Sequence, residues 1–245
     1  MTSHDTITHR PARDARQVRR YAMLIAAGVG AWFGAALVRA PGGSAHAALA
    51  AISAGMAGGF PWGMKTSLVL WVVLSLYWEL AARGASMARR SESAGSRMVH
   101  LVILGAGQLV LLMPMPGLRA RFLPTSTPLI AAGLAVEVAA VVFSIWARRA
   151  LGRHWSGEIT AKVGHELVRS GPYARVRHPI YTGMFALCIG TALVSGEVHA
   201  LVGLALVVIA FVRKIRMEEK NLAELFGPTW EEYRRATRAL VPGVI

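Results

Sequence analysis

With 245 residues, 54% of them hydrophobic and only 16% charged, the chain is too apolar for an ordinary soluble domain, where charge runs near ~25%. Its net charge of +14 sits in short basic blocks between long apolar runs, the pattern of cytoplasmic membrane loops and not of a nucleic-acid-binding surface. The single cysteine, Cys188, lies inside an apolar run, which excludes an intrachain disulfide and a cysteine-based metal site.

Met1–Arg20, with Arg10, Arg13, Arg16, Arg19 and Arg20, reads as a disordered basic tail. Tyr21–Val38 is continuously apolar, and about 20 residues cross a bilayer as helix, so it is the first predicted span. A cleaved signal peptide competes, because "SAHA" before Ala47 resembles a small-residue cleavage site. The long basic lead and the length of the apolar run favour the span. Pro41–Phe60, rich in Gly, Ala and Ser, reads as a loop or a re-entrant segment. Thr66–Ala82, bordered and filled by Trp62, Trp71, Tyr77 and Trp78, is a second span, followed by a basic loop through Arg83, Arg89, Arg90 and Arg97. Leu101–Met113 is a short third span, Met113–Pro128 a proline-rich turn, and Leu129–Trp146 a fourth span. Arg148–Pro179 is a long polar insertion, and Ile180–Val194 with Ala200–Val212 makes a close hairpin around "SGEVH". In the charged tail, Ile215, Leu222 and Leu225 extend the last span as helix until Gly227. Thr229 with Glu232 fits a capping box that starts one more helix, and Pro242 ends it.

Six spans with the N-terminus inside put every basic block on one side and leave only scattered bases, Lys65, Arg119 and Arg121 among them, on the other. The expectation is an all-α integral membrane protein of about six transmembrane helices, with both termini cytoplasmic. It divides into a tail (1–20), an N-terminal bundle of about four spans (21–147) and a C-terminal half (148–245) containing the hairpin 180–212 and cytoplasmic helices.

Two polar segments, Arg148–Tyr181 and Arg213–Tyr233, flank that hairpin and must lie close together. They hold His154, His165, His178, Tyr173, Tyr181, Glu158, Glu166, Glu218 and Glu219. Polar residues crowded where helices leave a bilayer suggest a ligand site. Taken singly, Arg169, Arg175, Arg234 and Arg235 read as interfacial anchors. The histidines are too widely spaced for a zinc site, so no metal is expected. "SGPYA" is not a nucleophile elbow, and "GAWFG" and "GAGQL" lack the strand–turn–helix context of a dinucleotide fingerprint. Glu79 and Glu137 fall inside spans and should face the bundle interior.

"LGRHWSGEITAKVGHELVRSGPYARVRHPIYTGM" and, after the hairpin, "RKIRMEEKNLAELFGPTWEEYRRATRALVP" resemble the isoprenylcysteine carboxyl methyltransferase family over Leu151–Pro242. The shared parts are Gly-Pro-Tyr, Arg-His-Pro-x-Tyr-x-Gly, the paired Glu, Phe-Gly-x-x-Trp-x-x-Tyr and the terminal Leu-x-Pro. That resemblance implies an S-adenosylmethionine-dependent membrane methyltransferase, here of a bacterial inner membrane. It places the cofactor against His165, Glu166, Leu167, Val168, Tyr173, His178, Pro179, Ile180, Tyr181 and Glu218. The family's substrate-side base falls on Lys214 where many members have Arg, so Lys214 and the adjacent Arg213 share the catalytic expectation. The implied acceptor is a lipidic or prenylated carboxylate in the bilayer. Alternatives are a phospholipid-amine N-methyltransferase, with Glu219 or His178 as base, and an NADPH-dependent sterol or enone reductase of related fold, whose turn usually lacks His-Pro-x-Tyr. A non-enzymatic membrane scaffold is weakened because no matched position carries a disabling residue.

Overall fold

Prolines, serines and glycines set where the helices begin and end. The structure, a computed structural model, describes residues 61–82, 89–90, 93–115, 117–152, 160–161 and 167–242. The expected basic tail, the first span Tyr21–Val38 and the whole of Pro41–Phe60 lie outside the described residues. Helix α1 spans Trp62–Ala82, directly after Pro61. Helix α2 spans Ala94–Leu112 and is capped by Ser93, whose Oγ accepts from the Ser96 amide at 3.2 Å. Helix α3 spans Thr127–Leu151; Ser126 caps its start, Pro128 sits in its first turn and Gly152 closes it at φ 52°. A 3-10 turn, Gly171–Ala174, leads to α4, Pro179–Ser195, with Pro179 at the first helical position, where its missing N–H costs nothing. Gly196, at φ 63°, turns the chain into α5, Val198–Phe226, and Gly227, at φ 50°, separates α5 from α6, Pro228–Ala236. Arg89–Arg90 (β1) pairs antiparallel with Thr160–Ala161 (β2), a two-residue ribbon in an otherwise helical architecture.

Two boundaries differ from expectation for local reasons. The third span begins at Ala94 and not at Leu101, because the Ser93 cap recruits Ser96 and Arg97 into the helix. The last helix begins at Pro228, which favours the first helical position, so Thr229 lies inside it. Its N-cap is Gly227, with no side-chain cap bond, and the capping box is not formed.

Among the described residues three helices are long and apolar enough to cross a membrane, within α2, α3 and α5, and α4 is apolar but 17 residues long. The expected second span is a helix, α1, yet not one of those three; it carries Lys65, two serines and several Trp and Tyr residues. It nevertheless turns Val69, Val72, Val73, Leu76 and Leu80 outward and buries Met64, Ser67, Trp71 and Leu74. A bundle that offers apolar side chains outward and tucks a serine inward is built for a lipid surround, and the chain is an integral membrane protein. The side chain of Glu79 lies outside the described part.

The helices meet through glycine. Between α3 and α4, a Cβ on Gly190 would stand 2.8 Å from the Gly133 carbonyl oxygen, and one on Gly183 would fall 3.2 Å from that of Ala140. Between α2 and α5, a Cβ on Gly203 would fall 2.6 Å from Leu111 Cα. In lipid, where apolar surface gains little by association, such close backbone approach is a main source of helix adhesion. Each pair packs more extensively on itself than on the other. Across α1, α3 and α4 runs a buried polar chain: Trp71 Nε1 donates to Thr191 Oγ1 (3.0 Å), which donates to Glu137 Oε1 (2.7 Å). Glu137 is fully buried and faces the interior as expected of an intramembrane carboxyl group. At one end of the bundle, the Leu118–Leu123 loop is stitched to the α4–α5 turn by backbone bonds such as Val198 N to Ala120 O (2.8 Å). The polar cluster gathers at the other end.

Candidate active site

The cluster assembles because His178-Pro179 starts α4 at the level where α5 changes from apolar to charged. Pro179 biases His178 away from helical geometry, and His178 sits at φ −124°, ψ 57° with its side chain free of any capping duty. The imidazole therefore turns toward α5. Its Nε2 lies 3.1 Å from Glu219 Oε1 and its Nδ1 3.7 Å from Glu218 Oε2. One turn further along α4, the Tyr181 hydroxyl donates to Glu218 Oε1 at 2.6 Å, a short bond of the kind a carboxylate acceptor makes. Rings line the same space: His178 stacks on Tyr181 (5.7 Å, 24°), and Phe211 lies 4.9 Å from Tyr181 and 5.5 Å from Phe185.

Arg177 holds the outer rim. Its Nε donates to Glu219 Oε1 at 2.8 Å and its Nη1 to the Arg234 carbonyl at 3.1 Å and the Thr237 carbonyl at 2.5 Å. Beside it, the chain after α6 runs parallel to Val176–His178 as a strap. The Arg177 amide donates to Arg238 O (2.8 Å) and the His178 amide to Ala239 O (3.0 Å). Thr182 Oγ1 reaches Leu240 O at 2.7 Å. Tyr173 is buried behind the turn, and its carbonyl accepts from the Tyr233 hydroxyl at 2.7 Å. Burial, then the charges of Tyr233 and Glu218, push the Tyr173 phenol well above its ordinary range against the pull of Arg148. Burial also raises Tyr233, to about 12, although Arg177 and Arg169 oppose it. Both phenols are thus neutral donors at physiological pH.

Of the residues expected from sequence, Tyr173, His178, Pro179, Tyr181 and Glu218 come together here, with Ile180 half-buried in the first turn of α4. Leu167 and Val168 are half-buried in the segment that leads to the 3-10 turn, while His165 and Glu166, like His154 and Glu158, lie outside the described residues. Lys214 precedes Glu218 by four residues on α5 and so shares its face. Arg213 is turned toward α2: its Nη2 donates to Ser96 Oγ at 2.6 Å, and its Nη1 is buried with no hydrogen-bond partner among the described residues. Sequence reasoning missed Arg177, Ser96 and the strap. Among the described residues no cluster of His, Cys, Asp or Glu is arranged to hold a metal ion.

The fold and this cluster define a membrane protein whose helical bundle brings a carboxylate, an imidazole and aromatic rings together at one end. Residues 133–224, which contain most of that cluster, match the model of the isoprenylcysteine carboxyl methyltransferase (ICMT) family. It is 37% identical over 79 residues to a protein-S-isoprenylcysteine O-methyltransferase of Schizosaccharomyces pombe, a match covering 32% of this chain and 34% of that one. The human protein-S-isoprenylcysteine O-methyltransferase is 38% identical over 79 residues, covering 32% and 28%. The cobalt-zinc-cadmium resistance protein CzcN of Cupriavidus metallidurans is 36% identical over 95 residues, covering 38% and 43%. The chain thus spans about a third of the length of the methyltransferases it matches. A solved structure of the eukaryotic intramembrane Ras methyltransferase ICMT aligns with a TM-score of 0.48 at 17% identity, over 93% of this chain and 86% of that one.

Proposed function

We propose that this chain is a methyltransferase that uses S-adenosylmethionine to methylate the carboxylate of a lipidic or prenylated acceptor held in the bilayer. The observation that carries the reading is the Tyr181–Glu218 bond beneath the His178 ring, inside the segment matched to the family. The donor set fits the cofactor. With Tyr181 on Oε1, the other oxygen of Glu218 remains to accept from a ligand ammonium or hydroxyl group. The faces of Tyr181 and Phe211 suit a sulfonium or an adenine ring. Glu218, Tyr173, the His178–Tyr181 turn and the His165–Val168 segment would hold it. When bound, the cofactor supplies an electrophilic methyl group.

The chain's own residues then have a limited task. A carboxylate acceptor has a pKa near ~4 and is ionised at neutral pH, so it needs no general base. It needs orientation toward the methyl group and exclusion of water. Lys214, on the Glu218 face of α5, orients it, and Arg213 adds positive charge from the α2 side of the same helix. An amine acceptor would require a base, and the carboxylate best placed for that, Glu219, is already engaged by Arg177 and His178. This favours the carboxyl reading over the amine alternative. Six crossings with both termini in the cytoplasm of a bacterial inner membrane, and the C-terminal half 148–245 as the working part, complete the proposal. The acceptor arrives sideways from lipid and the cofactor from the cytoplasm.

Calorimetry on the detergent-solubilised protein with S-adenosylhomocysteine and, separately, NADPH tests it. Binding of the first alone is expected; binding of NADPH alone, or of neither, overturns the reading.

A further inference from the structure

We infer that Arg177 is a positioning residue: it fastens both Glu219 and the C-terminal strap to the His178 turn, and so holds in place the turn that Glu218 faces. The inference rests on the methyltransferase reading only for the identity of the ligand.

The two adjacent carboxylates have different surroundings. Glu219 Oε1 receives Arg177 Nε at 2.8 Å and lies 3.1 Å from His178 Nε2, so one oxygen serves two neighbours. Glu218 Oε1 accepts from Tyr181 at 2.6 Å, and its Oε2 lies 3.7 Å from His178 Nδ1. The guanidinium presents its donors in a fixed planar fork. Here the fork spans three elements: Glu219 on α5, the Arg234 carbonyl at the end of α6, and the Thr237 carbonyl where the strap begins. The Arg177 side chain is 11% exposed and that of Glu219 22%, so water competes weakly for these bonds. The strap itself lies outside residues 133–224, yet it receives the amides of Arg177 and His178 through Arg238 and Ala239. Removing the fork loosens the imidazole and the strap together, because one side chain holds both. A lysine at this position keeps the charge but cannot span the three acceptors.

The test uses the full-length chain in detergent as Arg177→Ala, Arg177→Lys, Glu219→Gln, Glu218→Gln and the pairwise doubles. Without ligand, hydrogen exchange followed by mass spectrometry should show the amides of Arg177 and His178 exchanging faster by about tenfold or more in Arg177→Ala, with no rescue in Arg177→Lys. In calorimetry with S-adenosylhomocysteine, Arg177→Ala and Glu219→Gln should each weaken binding by about tenfold, and the double should be no weaker than the worse single. Glu218→Gln should add its full loss to either. Unchanged exchange in Arg177→Ala, rescue by lysine, or additive losses for Arg177 and Glu219 would overturn the clamp. If Arg177→Ala does not fold, Arg177→Lys and Glu219→Gln decide the question. If the native protein does not bind S-adenosylhomocysteine, the methyltransferase reading fails, and hydrogen exchange alone still decides the clamp.

Discussion

Gly203→Ala adds one methyl group to the α2–α5 seam. Its carbon would lie 2.3 Å from the Leu111 backbone nitrogen, 2.6 Å from Leu111 Cα and 2.7 Å from the Gly107 carbonyl oxygen. Non-bonded carbon contacts are comfortable at about 3.5–4.0 Å, so the helices must separate by roughly 1 Å. All three obstructing atoms are backbone, and no rotamer change removes them. Overpacking of this kind costs about 1–3 kcal/mol. With immovable neighbours the upper end applies, and the helical preference of Ala over Gly returns only about 1 kcal/mol. The net loss should be about 2 kcal/mol. Gly105→Ala, on α2, is the matched control: a Cβ there meets nothing within 4 Å, so only the gain of ~1 kcal/mol remains. Reversible unfolding of the detergent-solubilised protein by increasing SDS mole fraction measures both. If the two variants are equally stable, or Gly203→Ala matches the native chain, the seam does not hold the bundle together.

Thr191→Val should destabilise by about 1–3 kcal/mol in the same assay, since it strands Trp71 Nε1 and Glu137 Oε1 in the interior; Thr191→Ser should restore most of the loss. Tyr173 and Tyr233 should ionise late in an alkaline absorbance titration, Tyr233 at about 12 and Tyr173 higher still, and phenylalanine at each position should remove its share. Because both folded values are raised, the stability they contribute is complete below the unfolded value of 10.0 and is lost as pH climbs through about 12. Tyr181→Phe should weaken S-adenosylhomocysteine binding about tenfold by calorimetry, by loss of the bond to Glu218. Lys214→Ala should lower turnover in a methylation assay with cofactor affinity nearly intact; if Lys214→Ala and Arg213→Ala are both silent, their substrate role is wrong.

What could be read from sequence was mostly local. Pro179 after His178 announced a helix start and a side chain set outside helical geometry, and both are found. Gly227 announced a stop and supplies it. The convergence of Tyr181 with Glu218 followed from their flanking one hairpin. Non-local chemistry stayed hidden. Arg177 looks like any basic residue at a membrane face until the carbonyls of Arg234 and Thr237 come within reach of it. The strap is held by backbone bonds, which no side-chain pattern signals. Gly133, Gly190 and Gly203 lie in apolar runs where composition registers them only as weakly apolar, although each marks a backbone contact. The cap at Ser93 lies inside a stretch that the sequence reads as a basic loop.

The two glycine seams make the bundle a pair of stiff staves, α3 with α4 and α2 with α5. Tyr181 rides on one stave and Glu218 on the other, and their 2.6 Å bond crosses the joint. Sliding one stave along the other by a single residue's rise, about 1.5 Å, lengthens that bond toward the limit of its range. Hydrophobic thickness of the surrounding bilayer acts on such a slide, since helices answer mismatch by tilting and shifting. Whatever keeps the two staves in register therefore also keeps the Tyr181–Glu218 bond.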